Sequence, residues 1–121
     1  MQLQMTEEQS LIVAMVRRFV RDEILPLELS LDPDADRLDE ADEIRLKEKT
    51  REMGLYGLGI PSEYGGPDLD MVTTTLIAIE TAQHRAGLYA PCYGVFGGAG
   101  LAQLFEANDD QKERYLMPTL R

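Results

Sequence analysis

Gly54-Leu55-Tyr56-Gly57-Leu58-Gly59-Ile60-Pro61-Ser62-Glu63-Tyr64-Gly65-Gly66-Pro67 separates two parts of the chain that both read as helix. Glycine and proline at this density end any regular element. A Gly-Gly pair between two prolines points to a defined path rather than a floppy linker. Working outward, neither flank carries a run of alternating apolar and polar residues, so strands are not expected.

On the N-terminal side, Thr6-Glu7-Glu8-Gln9 is a capping box that opens a helix. Val13, Val16, Val20, Ile24 and Leu27 follow at helical spacing, with Arg17, Arg18, Arg21 and Asp22 opposite. Pro26 has no N–H to give a helix interior, which predicts an end near Ile24. A second, highly charged helix is expected over residues 39–53, with Glu43 and Lys47 at a favourable spacing and Gly54 as its stop. Beyond the loop, a third helix is expected over residues 70–85, broken at Gly87, and a fourth over 89–107. A fifth is expected over 109–116, capped by Asn108 or Asp109 and closed by Pro118. The expected fold class is all-α, a five-helix up-and-down bundle in one domain.

Charge is unevenly spread over the 121 residues. Twelve Lys and Arg against 22 Asp and Glu give a net charge of −10, which repels a phosphate backbone and argues against a nucleic-acid partner. Between Glu28 and Glu43, Arg37 is the one base among eight carboxylates. The Asp32-Asp34-Asp36 spacing resembles an EF-hand, but the turn glycine and distal glutamate are missing, so a solvated connector is expected. One Cys and one His exclude a disulfide framework and the usual soft-ligand metal sites. No apolar run reaches the roughly 20 residues of a membrane span and no signal-peptide pattern opens the chain, so a cytoplasmic location is expected. From residue 71 to 105 only Glu80 and Arg85 carry formal charge, so the helices there need cover, from a second copy or from further domains.

Gly94-Val95-Phe96-Gly97-Gly98-Ala99-Gly100 does not fit a nucleotide-binding loop: the glycine spacing is wrong and no strand precedes it. As a helix, Ala90, Gly94, Gly98 and Ala102 would form one smooth stripe. Such a stripe serves close helix packing, or leaves one wall of an apolar pocket. Cys92 has no basic neighbour and reads as a packed thiol, and His84 beside Arg85 reads as a helix C-terminal pair. Glu63 and Tyr64 read as structural, and Glu80 as one half of a buried pair with an arginine.

The loop from Met53 to Gly66 resembles the "GL-x-G-x-x-x-P-x-x-Y-G-G" signature of the acyl-CoA dehydrogenase family. Thr6–Gln9 through Glu23-Ile24-Leu25-Pro26 is similar to that family's first helix. Asp109-Asp110-Gln111-Lys112-Glu113-Arg114-Tyr115-Leu116-Met117-Pro118 is similar to the segment that ends its N-terminal helical domain, although Ala107-Asn108 stand where Gly and Ser or Thr are commoner. The resemblance covers nearly all of the chain. It implies the first domain of a larger enzyme whose β-domain and C-terminal helical domain are absent from residues 1–121. In such enzymes a carboxylate removes the α-proton of an acyl-CoA while hydride passes from Cβ to FAD, and the base and the main flavin contacts lie in the other domains. For this chain the resemblance therefore implies no catalytic, cofactor-binding or metal residue, and no activity or bound FAD on its own. It implies the far wall of the acyl pocket, formed by Ala90, Tyr93, Gly94 and Gly97, small enough to admit a long, branched or polycyclic acyl group. Its expected partners are the remaining domains, acyl-CoA, an electron-transfer flavoprotein and further copies in a dimer or tetramer. Two alternatives stay open: a free-standing, non-enzymatic helical interaction module, or the first domain of a related acyl-CoA oxidase or flavin monooxygenase.

Overall fold

The computed structural model describes residues 4–83, 95–97 and 101–120; its regular elements are helical, with no strand among the described residues. Five helices are found among the described residues, in keeping with the all-α fold that the sequence predicts. The first, α1, covers residues 7–30 and joins an α-helical segment Glu7–Phe19, a π turn Val20–Ile24 and a second segment Leu25–Ser30. Helix α2 is Glu40–Glu52, α3 is Met71–Thr81 and α4 is Ala102–Phe105. The last, α5, covers residues 109–120 as Asp109–Gln111, a π turn Lys112–Leu116 and Met117–Leu120.

The starts are written locally. The Thr6 hydroxyl accepts from Gln9 N–H at 3.1 Å while the Gln9 side chain accepts from Thr6 N–H at 3.0 Å. Asn108 and Gln111 repeat the same box, and Asp70 caps α3 by accepting from Thr73 N–H at 2.7 Å.

The ends correct the sequence reading. Neither Pro26 nor Pro118 stops its helix. Each is the second residue after a π turn, in which Leu25 N–H reaches back to the Val20 carbonyl and Met117 N–H to the Lys112 carbonyl. The wider turn breaks the α-helical ladder where the proline's missing donor would have been needed, so the ring sits in the first turn of a restarted segment. Helix α3 stops at Thr81, short of the expected residue 85. Gln83 N–H bonds to the Glu80 carbonyl at 3.2 Å, a tightened last turn. The expected helix over 89–107 is not continuous: Val95 and Phe96 form a turn, Gly97 has φ +67°, and among the described residues of this stretch Ala102–Phe105 is the helical part.

Side-chain links set the packing. The amide of Gln9 donates to the Thr73 hydroxyl at 3.2 Å, and Arg17 grips Glu80 at 2.7 and 3.2 Å, so α1 and α3 run parallel. Glu23 takes Arg45 at 2.5 Å and Lys49 at 2.9 Å, while Met15 and Phe19 lie nearer Met53, so α1 and α2 run antiparallel. The core between them holds Val16, Ile24, Leu46 and Ile77, all fully buried. The expected Glu43–Lys47 pair forms at 2.6 Å. The acidic connector is an irregular path pinned by buried Leu38, with Asp34 N–H bonded to the Asp32 side chain. Helix α3 buries Thr73, Ile77 and Glu80 but leaves Met71 82%, Ile79 52% and Val72 46% exposed. The uncharged stretch therefore presents an apolar face that nothing among the described residues covers. No helix among the described residues is long and apolar enough to cross a membrane.

Candidate functional site

The glycine loop begins where α2 ends. Gly54, at φ +73°, donates to the Arg51 carbonyl at 2.9 Å, and Leu55 N–H reaches the Thr50 carbonyl at 3.0 Å. These two bonds form a Schellman end, so the expected stop is realised in full. Farther along, Ser62–Tyr64 make one 3₁₀ turn that closes on Gly65, and Gly66 N–H returns to the Pro61 carbonyl at 3.3 Å. Gly66 lies so near Ile60 that a Cβ there would stand 2.6 Å from the Ile60 carbonyl carbon. The Tyr64 ring packs on Phe105 at 5.3 Å, fixing the loop to α4, whereas Glu63 is exposed. Tyr64 thus serves structure, by ring packing.

The loop holds the turn at residues 95–97. The fully buried Thr50 hydroxyl lies 2.7 Å from the Val95 carbonyl, with Lys47's carbonyl as its alternative acceptor at 2.9 Å. Gly57 N–H donates to the Phe96 carbonyl at 2.5 Å, and Leu58 N–H approaches the same oxygen at 3.4 Å. The Phe96 ring meets Phe19 edge-on at 5.7 Å. Gly97 sits against Tyr56: a Cβ at 97 would be 2.7 Å from Tyr56 Cζ and 2.9 Å from Cε1. The Arg51 guanidinium lies 4.0 Å from the centre of the same ring, a cation–π contact.

Of the four residues expected to line a pocket, Gly97 is thus placed beside the loop, while Ala90, Tyr93 and Gly94 lie outside the described residues. So do His84, Arg85, Cys92 and the stripe position Gly98, whereas the stripe's Ala102 is exposed on α4. Glu80 has the arginine partner expected of it, Arg17.

Elsewhere a groove of about 330 Å³ runs between α1 and α2, lined by Met15, Arg18, Phe19, Asp22, Glu23, Lys49, Glu52 and Met53. Burial alone would push Glu23 up, but hydrogen bonds from Lys49 and Arg45 and their charges hold it below the ordinary glutamate value. No group of three or more His, Cys, Asp or Glu among the described residues could hold a metal. What this arrangement does is hold a turn at a set depth; it juxtaposes no nucleophile with a base.

Comparison with known proteins decides the family. The model of the acyl-CoA dehydrogenase N-terminal domain matches residues 6–121. The chain belongs to the acyl-CoA dehydrogenase family. A probable acyl-CoA dehydrogenase of Bacillus subtilis (strain 168) is 32% identical over 92% of the chain and 18% of the relative. The short-chain-specific acyl-CoA dehydrogenase of Clostridium acetobutylicum is 31% identical over 98% of the chain and 30% of the relative. The (R)-benzylsuccinyl-CoA dehydrogenase of Thauera aromatica is 34% identical over 72% of the chain and 23% of the relative. The chain thus spans between a fifth and a third of these acyl-CoA dehydrogenases. No solved structure matches it.

Within this family domain, the sequence reading missed three contacts: the Thr50–Val95 bond, the Tyr56–Gly97 approach, and the two bases on Glu23. Only the first left a trace, as a lone threonine in the last turn of a charged helix.

Proposed function

We propose that this chain is the first domain of an FAD-dependent acyl-CoA dehydrogenase, which removes two hydrogens across the α,β bond of an acyl-CoA thioester. The observation that carries this is the family match across residues 6–121, together with the signature loop that carries the 95–97 turn. In this reading residues 1–121 form one domain, and a β-domain and a C-terminal helical domain of the same enzyme complete it. The apolar face of Met71, Val72 and Ile79 supports such a partner, since a lone domain has no use for it. Electron-transfer flavoprotein as acceptor, a dimer or tetramer, and a cytoplasmic location follow from the same family reading.

The residues described here do not suit FAD. The groove between α1 and α2 sets Asp22, Glu23 and Glu52 beside its bases, and those carboxylates repel a pyrophosphate. No proton or hydride step is therefore assigned to this chain. Its own part is shape: Ala90, Tyr93, Gly94 and Gly97 wall the far end of the acyl pocket. A relative 32% identical over 96% of the chain is a 3-(aryl)acrylate reductase of Clostridium sporogenes, an aryl class that suits the space left by Ala90, Gly94 and Gly97.

The test is acyl-chain selectivity in the enzyme that carries this domain. Gly94→Leu is expected to lower kcat/KM for long acyl-CoAs against short ones by about tenfold, the worth of a methylene or two in a filled pocket. An unchanged preference would return these residues to plain packing, and absence of enoyl-CoA product in the wild-type enzyme would refute the activity.

A further inference from the structure

We propose that Tyr56 is a positioning residue for the acyl pocket, setting the depth at which the 95–97 turn stands; the proposal rests on the pocket reading above. Two hydrogen bonds tether the turn, one from the last turn of α2 and one from the loop. Thr50 holds the Val95 carbonyl and Gly57 holds the Phe96 carbonyl, both pulling the turn toward the loop. What stops it from coming closer is the Tyr56 ring. Its Cζ and Cε1 already lie where a Cβ on Gly97 would be 2.7 and 2.9 Å away. The Arg51 guanidinium lies over that ring at 4.0 Å from its centre and favours this orientation of it.

Tethers that pull and a ring that pushes define one position for the turn. Gly97 is the residue this arrangement demands for two separate reasons. Its φ of +67° is the left-handed conformation, and its Cα faces the ring. Shortening residue 56 removes the stop. The turn then settles toward the loop, and on the pocket reading, in which Gly97 lines the far wall, the pocket deepens. The side chain at 56 thereby selects acyl length without touching substrate.

The experiment uses the flavin-loaded enzyme that carries this domain, with kcat and KM measured over a series of straight-chain acyl-CoAs. Tyr56→Ala should shift the ratio of kcat/KM for long over short chains upward by about tenfold. Tyr56→Leu, which keeps the loop filled, should shift it less in the same direction. Tyr56→Phe retains the ring and should keep the wild-type preference. Gly97→Ala should lower kcat/KM sharply beside Tyr56 and much less in the Tyr56→Ala background, a non-additive pair.

An equal loss of kcat/KM at every chain length in Tyr56→Ala and Tyr56→Leu would overturn the proposal. So would strict additivity of positions 56 and 97. Gly94→Leu separates this idea from the one beneath it. If Gly94→Leu moves the preference and the Tyr56 variants do not, the wall stands and the positioning role fails. If neither moves it, the pocket reading itself falls.

Discussion

Gly66→Ala is the sharpest test of the loop's path. A Cβ there would stand 2.6 Å from the Ile60 carbonyl carbon and 2.9 Å from the Ile60 Cβ, and would overlap the carbonyl oxygen. Ordinary carbon contacts begin at about 3.5 Å, so the backbone must move by roughly 1 Å. No rotamer change relieves this, because the obstacle is main chain. Overpacking of this kind costs ~1–3 kcal/mol and sometimes more, and a main-chain obstacle puts this site at the top of that range or above it; alanine recovers ~0.4–1 kcal/mol by restricting the unfolded chain. A net loss of about 2–3 kcal/mol is expected, or roughly 8–12 °C in melting temperature for a domain of this size.

Gly59→Ala is the control. Gly59 has φ +82° with nothing within 4 Å of its added Cβ, so it carries conformational strain without a clash. Its loss should be about 1 kcal/mol or less. Urea and thermal melts followed by far-UV circular dichroism measure both. Equal losses for the two variants would mean that Gly66 is not packed against Ile60, and the described path of the loop would be wrong.

Thr50→Val keeps the volume but leaves the buried Val95 carbonyl without its donor, and should cost about 1–3 kcal/mol by the same melts. Because Glu23 is held below its ordinary value of 4.5 when folded, the unfolded state binds the extra proton; stability should fall as pH drops from about 4.5 through the lower folded value. Glu23→Gln should flatten that acid limb and cost about 1 kcal/mol at neutral pH, the bases being partly exposed and screened. The isolated chain should bind a hydrophobic dye or self-associate through α3, and Met71→Lys with Ile79→Glu should abolish this, as read by fluorescence and sedimentation.

What the sequence made legible was local. The Thr6–Gln9 box, the Asn108 cap and the Gly54 stop each depend on a few adjacent residues, and each formed as read. Glu80 needed a partner because its surroundings lacked charge, and Arg17 is that partner. The misread features depend on chain-distant contacts or on backbone register. Pro26 ends a helix unless a π turn precedes it, and nothing in a one-residue pattern reveals the turn. Gly97 reads as a position inside the fourth helix until Thr50, Tyr56 and Gly57 bring the loop against its turn. At the candidate site, the loop was legible from its punctuation, but the Tyr56–Gly97 approach was not, because the two residues are joined only by folding.

The π turns also change how the helices count. Continuing the buried face from Val16 at about 3.6 residues per turn would centre it near residue 23. Ile24 is fully buried instead, and Glu23 is left at the margin, free to take both Arg45 and Lys49. One surplus residue therefore exchanges a carboxylate for an isoleucine in the core. A helix lacking that residue and its proline would keep the upstream face and bury a different set downstream. Aligning this chain with such a shorter helix would require the gap at the π turn, not in the connector, or everything from residue 25 to the connector would stand one step out of phase.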